Sequence, residues 1–354
     1  MKIVKEDIDW AISEGILSSE QGEFLWNALQ KRTSNRPQFN FANVAYYFGA
    51  FIVLAGMTWF MSLAWEQFGE KGLLFLACLY AFLFVLAGQT LWFKQNLKIP
   101  GGLLFTIAVC MTPIAIFGLL AQLNLGPTEY QLETAQTYRL YEKVSVMVMA
   151  LGTILAGLIT LRFVKFPFLL APITWAAWLV SRELYALMFF PLTQKIFWTE
   201  SNYWNYVWFG LACLVVAYWV DWKTSRSQED YAFWIYLFGL IFFWLGMTFM
   251  SDGGPNKIDP LLYFVINLGL MLLSVLLQRR SFIVFGAIGV FYYLYYVFYK
   301  AFQNSLLFPL TLMVLGLLVI YAGIQYQRNE KAIEQLIVGK LPMSVRQILP
   351  RRRA

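Results

Sequence analysis

Hydrophobic residues along the 354-residue chain fall into long unbroken runs, separated by short polar stretches that carry most of the charge. An α-helix rises about 1.5 Å per residue, so a bilayer core near 30 Å needs about 20 mostly apolar residues. Runs of that length predict ten spans, near 41–65, 71–93, 100–123, 143–163, 166–190, 203–222, 231–250, 260–278, 281–300 and 304–327. Helices are the expected form, because backbone groups in lipid must satisfy one another within their own segment. The runs are too continuous for the alternating pattern of a membrane β-barrel. The expected fold is therefore all-α, a polytopic transmembrane helix bundle of about ten spans.

The basic residues test that reading independently. With ten spans, one side of the membrane receives Lys2, Lys5, Lys31, Arg32 and Arg36, then Lys94, Lys98, Arg162, Lys165, Lys223, Arg226, Arg279 and Arg280 in alternate loops. The tail adds Arg328, Lys331, Lys340, Arg346, Arg351, Arg352 and Arg353, giving that side 20. The other side receives only Lys71, Arg139, Lys143, Lys195, Lys257 and Lys300, and Arg182 falls inside a span. Lysine and arginine gather on the cytoplasmic side of membrane proteins. Both termini are therefore expected in the cytoplasm, and one span more or fewer would scramble the alternation.

Residues 1–38 are expected to form a cytoplasmic helical hairpin, 39–327 the transmembrane bundle and 328–354 a basic cytoplasmic tail. In the hairpin, a first helix from Asp9-Trp10 breaks at Gly15, and Ser18 with Gln21 has the spacing of a capping box that opens a second. Phe24, Leu25, Ala28 and Leu29 make an apolar stripe at helical spacing, and Pro37 closes the segment. So small a hairpin buries too little surface to fold alone, which points to docking on the bundle, on a second copy or on a protein partner. The N-terminal stretch has no continuous apolar core of signal-peptide length, so no cleavable signal is expected. Residues 124–142 read as one interfacial helix, and no loop is long enough for a separate catalytic domain.

Composition agrees. The chain is 60% hydrophobic, 19% aromatic and 13% charged, against roughly 45–50% apolar and about 25% charged in soluble domains. The net charge of +7 is explained by membrane orientation, not by nucleic acid, because the basic residues occupy short loops and the tail. Histidine is absent, which removes the commonest general base and metal ligand. Cys78, Cys110 and Cys213 each lie in an apolar run and read as small hydrophobes. No nucleotide loop, paired catalytic carboxylate or metal cluster is present, so neither an enzyme nor a cofactor is expected. Gly101-Gly102 and Gly253-Gly254-Pro255 read as turns.

Trp10, Glu14-Gly15-Ile16-Leu17-Ser18 and Glu20-Gln21, followed by Gly49, Gly56 and Ala64-Trp65-Glu66 in and after the first span, carry a resemblance to a known family. The first 95 or so residues resemble an uncharacterised family of bacterial membrane proteins, defined by a domain of unknown function. Its members have an N-terminal W…GLIS.EQ-type hairpin followed by multiple spans. The resemblance implies a bacterial inner-membrane location and brings no catalytic residue or substrate.

Two groups stand out as candidate sites. Arg182-Glu183 lies inside an apolar run, where an arginine costs about 2.5–3.5 kcal/mol. Neighbours on a helix point about 100° apart, so separate partners are expected for the two; the competing reading has Arg182 snorkelling to the outer interface. Tyr292, Tyr295 and Tyr296, with Tyr293 and Tyr299, cover more than one face of the ninth span. They read either as an aromatic belt, like Trp198, Tyr203, Trp204, Tyr206 and Trp208, or as a surface for a sugar or lipid head group. Asn43, Gln89, Gln122, Asn267 and Gln325 are expected to bond between helices, and Pro113, Pro172 and Pro309 to kink theirs. The tail's basic residues suit anionic lipid head groups.

Short loops, kinked helices and an intramembrane charge pair favour a permease-like or flippase-like protein for a small or lipidic solute. The alternative is a non-transporting scaffold or regulator that docks partners through its N-terminal hairpin.

Overall fold

The computed structural model describes residues 5–33, 41–123, 125, 135–189, 203–223, 230–251, 258–277 and 279–301, with isolated positions between 310 and 321. Every regular element among them is helical. The predicted tenth span over 304–327 lies outside the described residues except for those isolated positions; the tail 328–354, Pro37, Pro309 and the Gly253-Gly254-Pro255 turn lie outside them entirely.

Two short helices come first, α1 (Lys5–Ser13) and α2 (Ser19–Thr33). Gly15 turns the chain between them at φ +70°, a left-handed conformation that glycine adopts without a Cβ clash. The capping box forms as its spacing predicts. Gln21 N–H donates to Ser18 Oγ and Ser18 N–H donates to Gln21 Oε1, each at 3.2 Å. The hairpin closes through Ile8 and Ile12 against Gly22. The expected apolar stripe does not form that contact: Phe24 is 78% exposed and Leu25 also faces outward.

The membrane region starts with α3 (Phe41–Gln89), which turns back on itself at Gly69 (φ +62°). Twenty residues of straight helix would separate Phe60 from Tyr80 by about 30 Å, yet their rings meet at 6.0 Å. The turn therefore falls at Gly69, a few residues beyond Ala64-Trp65-Glu66. A short π-helical stretch (Thr90–Lys94) leads into α4 (Lys98–Cys110) and α5 (Thr112–Gln122). Pro113 sits in the first turn of α5 and interrupts the helix at Met111, as a residue lacking an N–H must. Then come α6 (Ala135–Phe163), a 3₁₀ turn (Pro167–Leu169) and α7 (Leu170–Phe189). Residues 135–142 continue α6 directly, so that part of the expected interfacial helix runs unbroken into the span that starts at Tyr141. Pro172 stands in the first turn of α7, where its missing N–H costs no hydrogen bond. The last described elements are α8 (Tyr203–Lys223), α9 (Tyr231–Ser251), α10 (Pro260–Leu277) and α11 (Arg280–Ala301). Asp230 and Asp259 cap α9 and α10, accepting from Phe233 N–H at 3.2 Å and Leu261 N–H at 2.8 Å.

Among the described residues seven segments are long and apolar enough to cross a membrane: Val44–Leu63, Lys71–Lys94, Lys98–Gln122, Tyr141–Phe163, Tyr203–Lys223, Tyr231–Ser251 and Arg280–Lys300. They mark the chain as a helical membrane protein and coincide with seven of the ten predicted runs. Two other runs correspond to α7, which holds Arg182 and Glu183, and α10, whose apolar part Pro260–Ser274 is shorter.

The helices pack around two centres. In the first, α4 and α5 touch α3, α6 and α7; in the second, α9 touches α8, α10, α11 and α7. Half of the α9 span is buried against 11% of the first span, so α9 is a core helix and the first half of α3 faces outward along most of its length. Among the described residues, helix ends flanking three of the basic connections meet one another. Trp92 meets Phe166 at 6.2 Å, and Phe168 meets Trp234 at 4.5 Å and Tyr47 at 5.3 Å.

Glycines set the closest contacts. A Cβ on Gly210 of α8 would lie 2.4 Å from Phe243 N of α9, and one on Gly246 2.9 Å from Tyr206 Cβ. Gly101 and Gly102 are helical and buried in α4, against the Trp92 backbone and the Phe166 ring, so they serve close packing and not the expected turn.

Gly210→Ala is expected to destabilise the bundle by about 1–3 kcal/mol, because the obstructing atom is backbone and cannot swing away. Gly269→Ala, with no atom within 4 Å of the added carbon, is expected to leave stability unchanged or slightly raised. Thermal unfolding in one detergent compares them.

Candidate functional site

Arg182 and Glu183 lie in the C-terminal half of α7, on turns that also present Trp178 to the bundle. The two side chains, expected to point apart, also bond each other. The long arginine side chain folds round the helix, and Nε donates to Glu183 Oε1 at 2.9 Å while a terminal guanidinium nitrogen bonds the same oxygen. Glu183 is buried at 5% exposure. The guanidinium also lies 5.7 Å over the Trp178 ring, a contact strengthened where water is excluded. Trp178 in turn packs on Phe242 at 5.1 Å and on Tyr206 at 5.3 Å. The pair thus enters the protein interior without net charge, by way of the face that meets α8 and α9.

The tyrosines divide. Tyr292 packs edge-on against Tyr263 at 6.0 Å, and Tyr293 lies tilted by 33° against Phe264 at 4.8 Å. Tyr295 and Tyr296 point outward, Tyr295 stacked on Tyr299 at 6.0 Å and Tyr296 under the Lys300 ammonium at 5.9 Å. The hollow bounded by Ser251, Tyr263, Tyr292, Tyr293 and Tyr296 holds only about 10 Å³, room for a single water at most. Arg182 and Glu183 are not among the described residues that line this hollow.

A larger opening lies between α7 and α8, with a volume near 710 Å³, within the usual range for a small-molecule pocket. From α7 it takes Ala177, Val180, Ser181, Leu184, Tyr185 and Met188, one stripe at helical spacing. From α8 it takes Trp204, Asn205 and Trp208. Arg182 and Glu183 sit off that stripe and do not line it. Ser181 Oγ donates to Asn205 Oδ1 at 2.8 Å, joining the two walls. Asn205 is 3% exposed, and its Nδ2 has no hydrogen-bond partner. Turning the amide would transfer the deficit to the other end, since one hydroxyl serves only one of its atoms. The indoles of Trp204 and Trp208, one helical turn apart, lie at 6.4 Å and 25° between planes. Nothing in local sequence pairs Ser181 with Asn205; the signal available was a lone asparagine inside an aromatic run.

At the opposite end of α8 a partly buried ion triad joins two connections. Arg279, between α10 and α11, donates Nε and a terminal nitrogen to Asp221 at 3.2 and 2.7 Å, and bonds Asp230 at 2.6 Å. Asp221 ends α8 at 3% exposure, and Asp230 caps α9. The guanidinium lies 5.5 Å over the Tyr236 ring. Burial alone would lower the arginine's pKa, but the hydrogen bonds and charges of Asp230 and Asp221 outweigh it and raise it above the ordinary value. In sequence Arg279 reads only as an orientation signal, because an aspartate 58 residues away offers no local clue. Lys143 also emerges only from the structure, its ammonium buried and without a hydrogen-bond partner.

Arg279→Ala strands Asp221 in the interior and is expected to cost about 3–5 kcal/mol. Arg279→Lys keeps the charge, loses the fork and is expected to recover only part of that stability. The midpoint of thermal unfolding in detergent measures both.

The chain matches no family model, no curated protein and no solved structure, so its class rests on its membrane-spanning helices.

Proposed function

We propose that the chain is a permease-like or flippase-like protein of a bacterial inner membrane, handling a small or lipidic solute through the α7–α8 cleft. In this reading the bundle has about ten spans, with α7, α10 and the run over 304–327 joining the seven long apolar segments. The hairpin over 1–38 and the tail over 328–354 lie in the cytoplasm, the tail against anionic lipid head groups. The positive-inside distribution supports that orientation, and the end carrying Arg279, Lys98 and Trp92 is then the cytoplasmic one. Resemblance of the first 95 residues to an uncharacterised bacterial family supports the inner membrane.

The observation that carries the proposal is the cleft itself. It is solute-sized, opens on the bundle surface and has a polar contact, Ser181–Asn205, across apolar walls. Lipid alone does not require such a feature, since helices facing hydrocarbon need no buried amide. Behind the cleft wall Arg182 lies over Trp178 of the same helix, whose ring packs on Tyr206 of α8. In proteoliposomes the wild-type protein is expected to move fluorescent lipids or small solutes at least tenfold faster than protein-free vesicles. Val180→Trp, which fills the cleft from its own wall, is expected to remove that gain while leaving thermal stability unaltered. Equal movement by the filled variant would exclude the cleft as the route.

A scaffold or regulator is the second reading, and the hairpin favours it. Trp10, Ile16 and Phe24 are 59%, 64% and 78% exposed on an element with its own internal packing, an apolar surface suited to a protein partner or a second copy. Removing residues 1–36 is then expected to abolish a co-purifying partner and leave the bundle's unfolding midpoint in place. Retention of every partner by the truncated protein would exclude docking through the hairpin.

A further inference from the structure

We infer that the α7–α8 cleft recognises an amphiphile whose head group is uncharged and rich in hydroxyls, such as a glycosyl lipid; this names the solute class for the site proposed above. The acyl portion would lie along Val180, Leu184 and Met188, which form the apolar part of the α7 stripe. Three features select the head group.

The first is charge. Among the described residues the cleft lining includes no lysine, arginine, aspartate or glutamate. The one guanidinium nearby, Arg182, is already bonded to Glu183 and turned towards Trp178. A phosphate or carboxylate seated on these lining residues would lose its hydration without meeting a cation among them, which is costly for any charged group.

The second is the Asn205 amide. It is buried, it lines the cleft, and one of its two ends has no hydrogen-bond partner whichever way it is turned. Buried polar groups are rarely left so. A hydroxyl both donates and accepts, so it satisfies the amide in either orientation. A choline or an alkyl group satisfies neither.

The third is the indole pair. Trp204 and Trp208 lie nearly parallel on one wall, 39% and 61% exposed. An aromatic face is electronegative, and the C–H face of a pyranose ring offers weakly positive hydrogens to it while its hydroxyls remain free at the ring edge. An interfacial aromatic belt alone would provide tryptophans without a buried amide between them and the neighbouring helix. The combination separates a binding wall from a belt.

The test uses full-length protein and two lipids with identical acyl chains, monoglucosyl-diacylglycerol and phosphatidylglycerol, added in equal amounts to the purified protein in mild detergent. Retained lipid is counted by native mass spectrometry. The wild-type protein is expected to retain the glucolipid about tenfold more than phosphatidylglycerol. Asn205→Leu removes the amide, and Trp208→Ala removes an exposed ring whose loss leaves the fold intact. Each is expected to cut glucolipid retention roughly tenfold, for Asn205→Leu the scale of one buried hydrogen bond and for Trp208→Ala that of one aromatic contact, with phosphatidylglycerol retention unaltered. Equal or greater retention of phosphatidylglycerol by wild type, or undiminished glucolipid retention by the Trp208→Ala variant, overturns the inference. If the head-group preference is absent yet Val180→Trp still abolishes lipid movement in vesicles, only the solute class falls. If movement is insensitive to Val180→Trp as well, the cleft falls as a site altogether.

Discussion

Helices in hydrocarbon gain nothing from hiding oil from oil, so their association depends on how closely their backbones approach. That constraint organises this bundle. The α8–α9 pair closes at Gly210, Gly239 and Gly246, each with backbone or Cβ atoms of the partner where a side chain would stand. Gly118 of α5 admits Leu74 of α3, and Gly286 and Gly289 of α11 admit Asn267 and Met271 of α10. Where such residues line up, two helices become one rigid hairpin.

The cleft follows from the same rule in reverse. At about 100° per residue, the face of α8 that carries Gly210, Cys213 and Ala217 lies opposite the face that carries Trp204, Asn205 and Trp208. One face lets α9 approach to contact; the other holds α7 away with two indoles and leaves a space of about 710 Å³. The opening and the tight interface are thus two sides of a single helix. The solute reading rests on that asymmetry more than on any charged residue.

Charge is confined to places where it is neutralised or near an end of the bundle. Arg182 and Glu183 cancel each other beside Trp178. Arg279 gathers Asp221 and Asp230, tying the α8–α9 connection to the α10–α11 connection. Replacing either pair with apolar residues would not obviously weaken packing, but removing one partner leaves a buried charge unanswered. The triad and the cleft lie at opposite ends of α8, so the helix is clamped at one end and open along one flank at the other.

How much of this was readable in one dimension follows from what each signal depends on. The positions of seven spans, the Ser18–Gln21 capping box and the basic charge of alternate connections depend on residues near one another in the chain, and hydropathy, spacing and local charge express them directly. The closure of Arg182 onto Glu183, the packing role of Gly101 and Gly102, the Ser181–Asn205 contact and the Arg279 triad depend on how each helix is rotated about its axis and where it slides along its neighbour. A helix that is apolar on every side has no amphipathic stripe to announce that rotation. Sequence therefore determined that this chain enters a membrane and where its helices run. Only the tertiary structure decided which faces meet, because in lipid that choice is made by shape across helices and not by hydrophobicity along them.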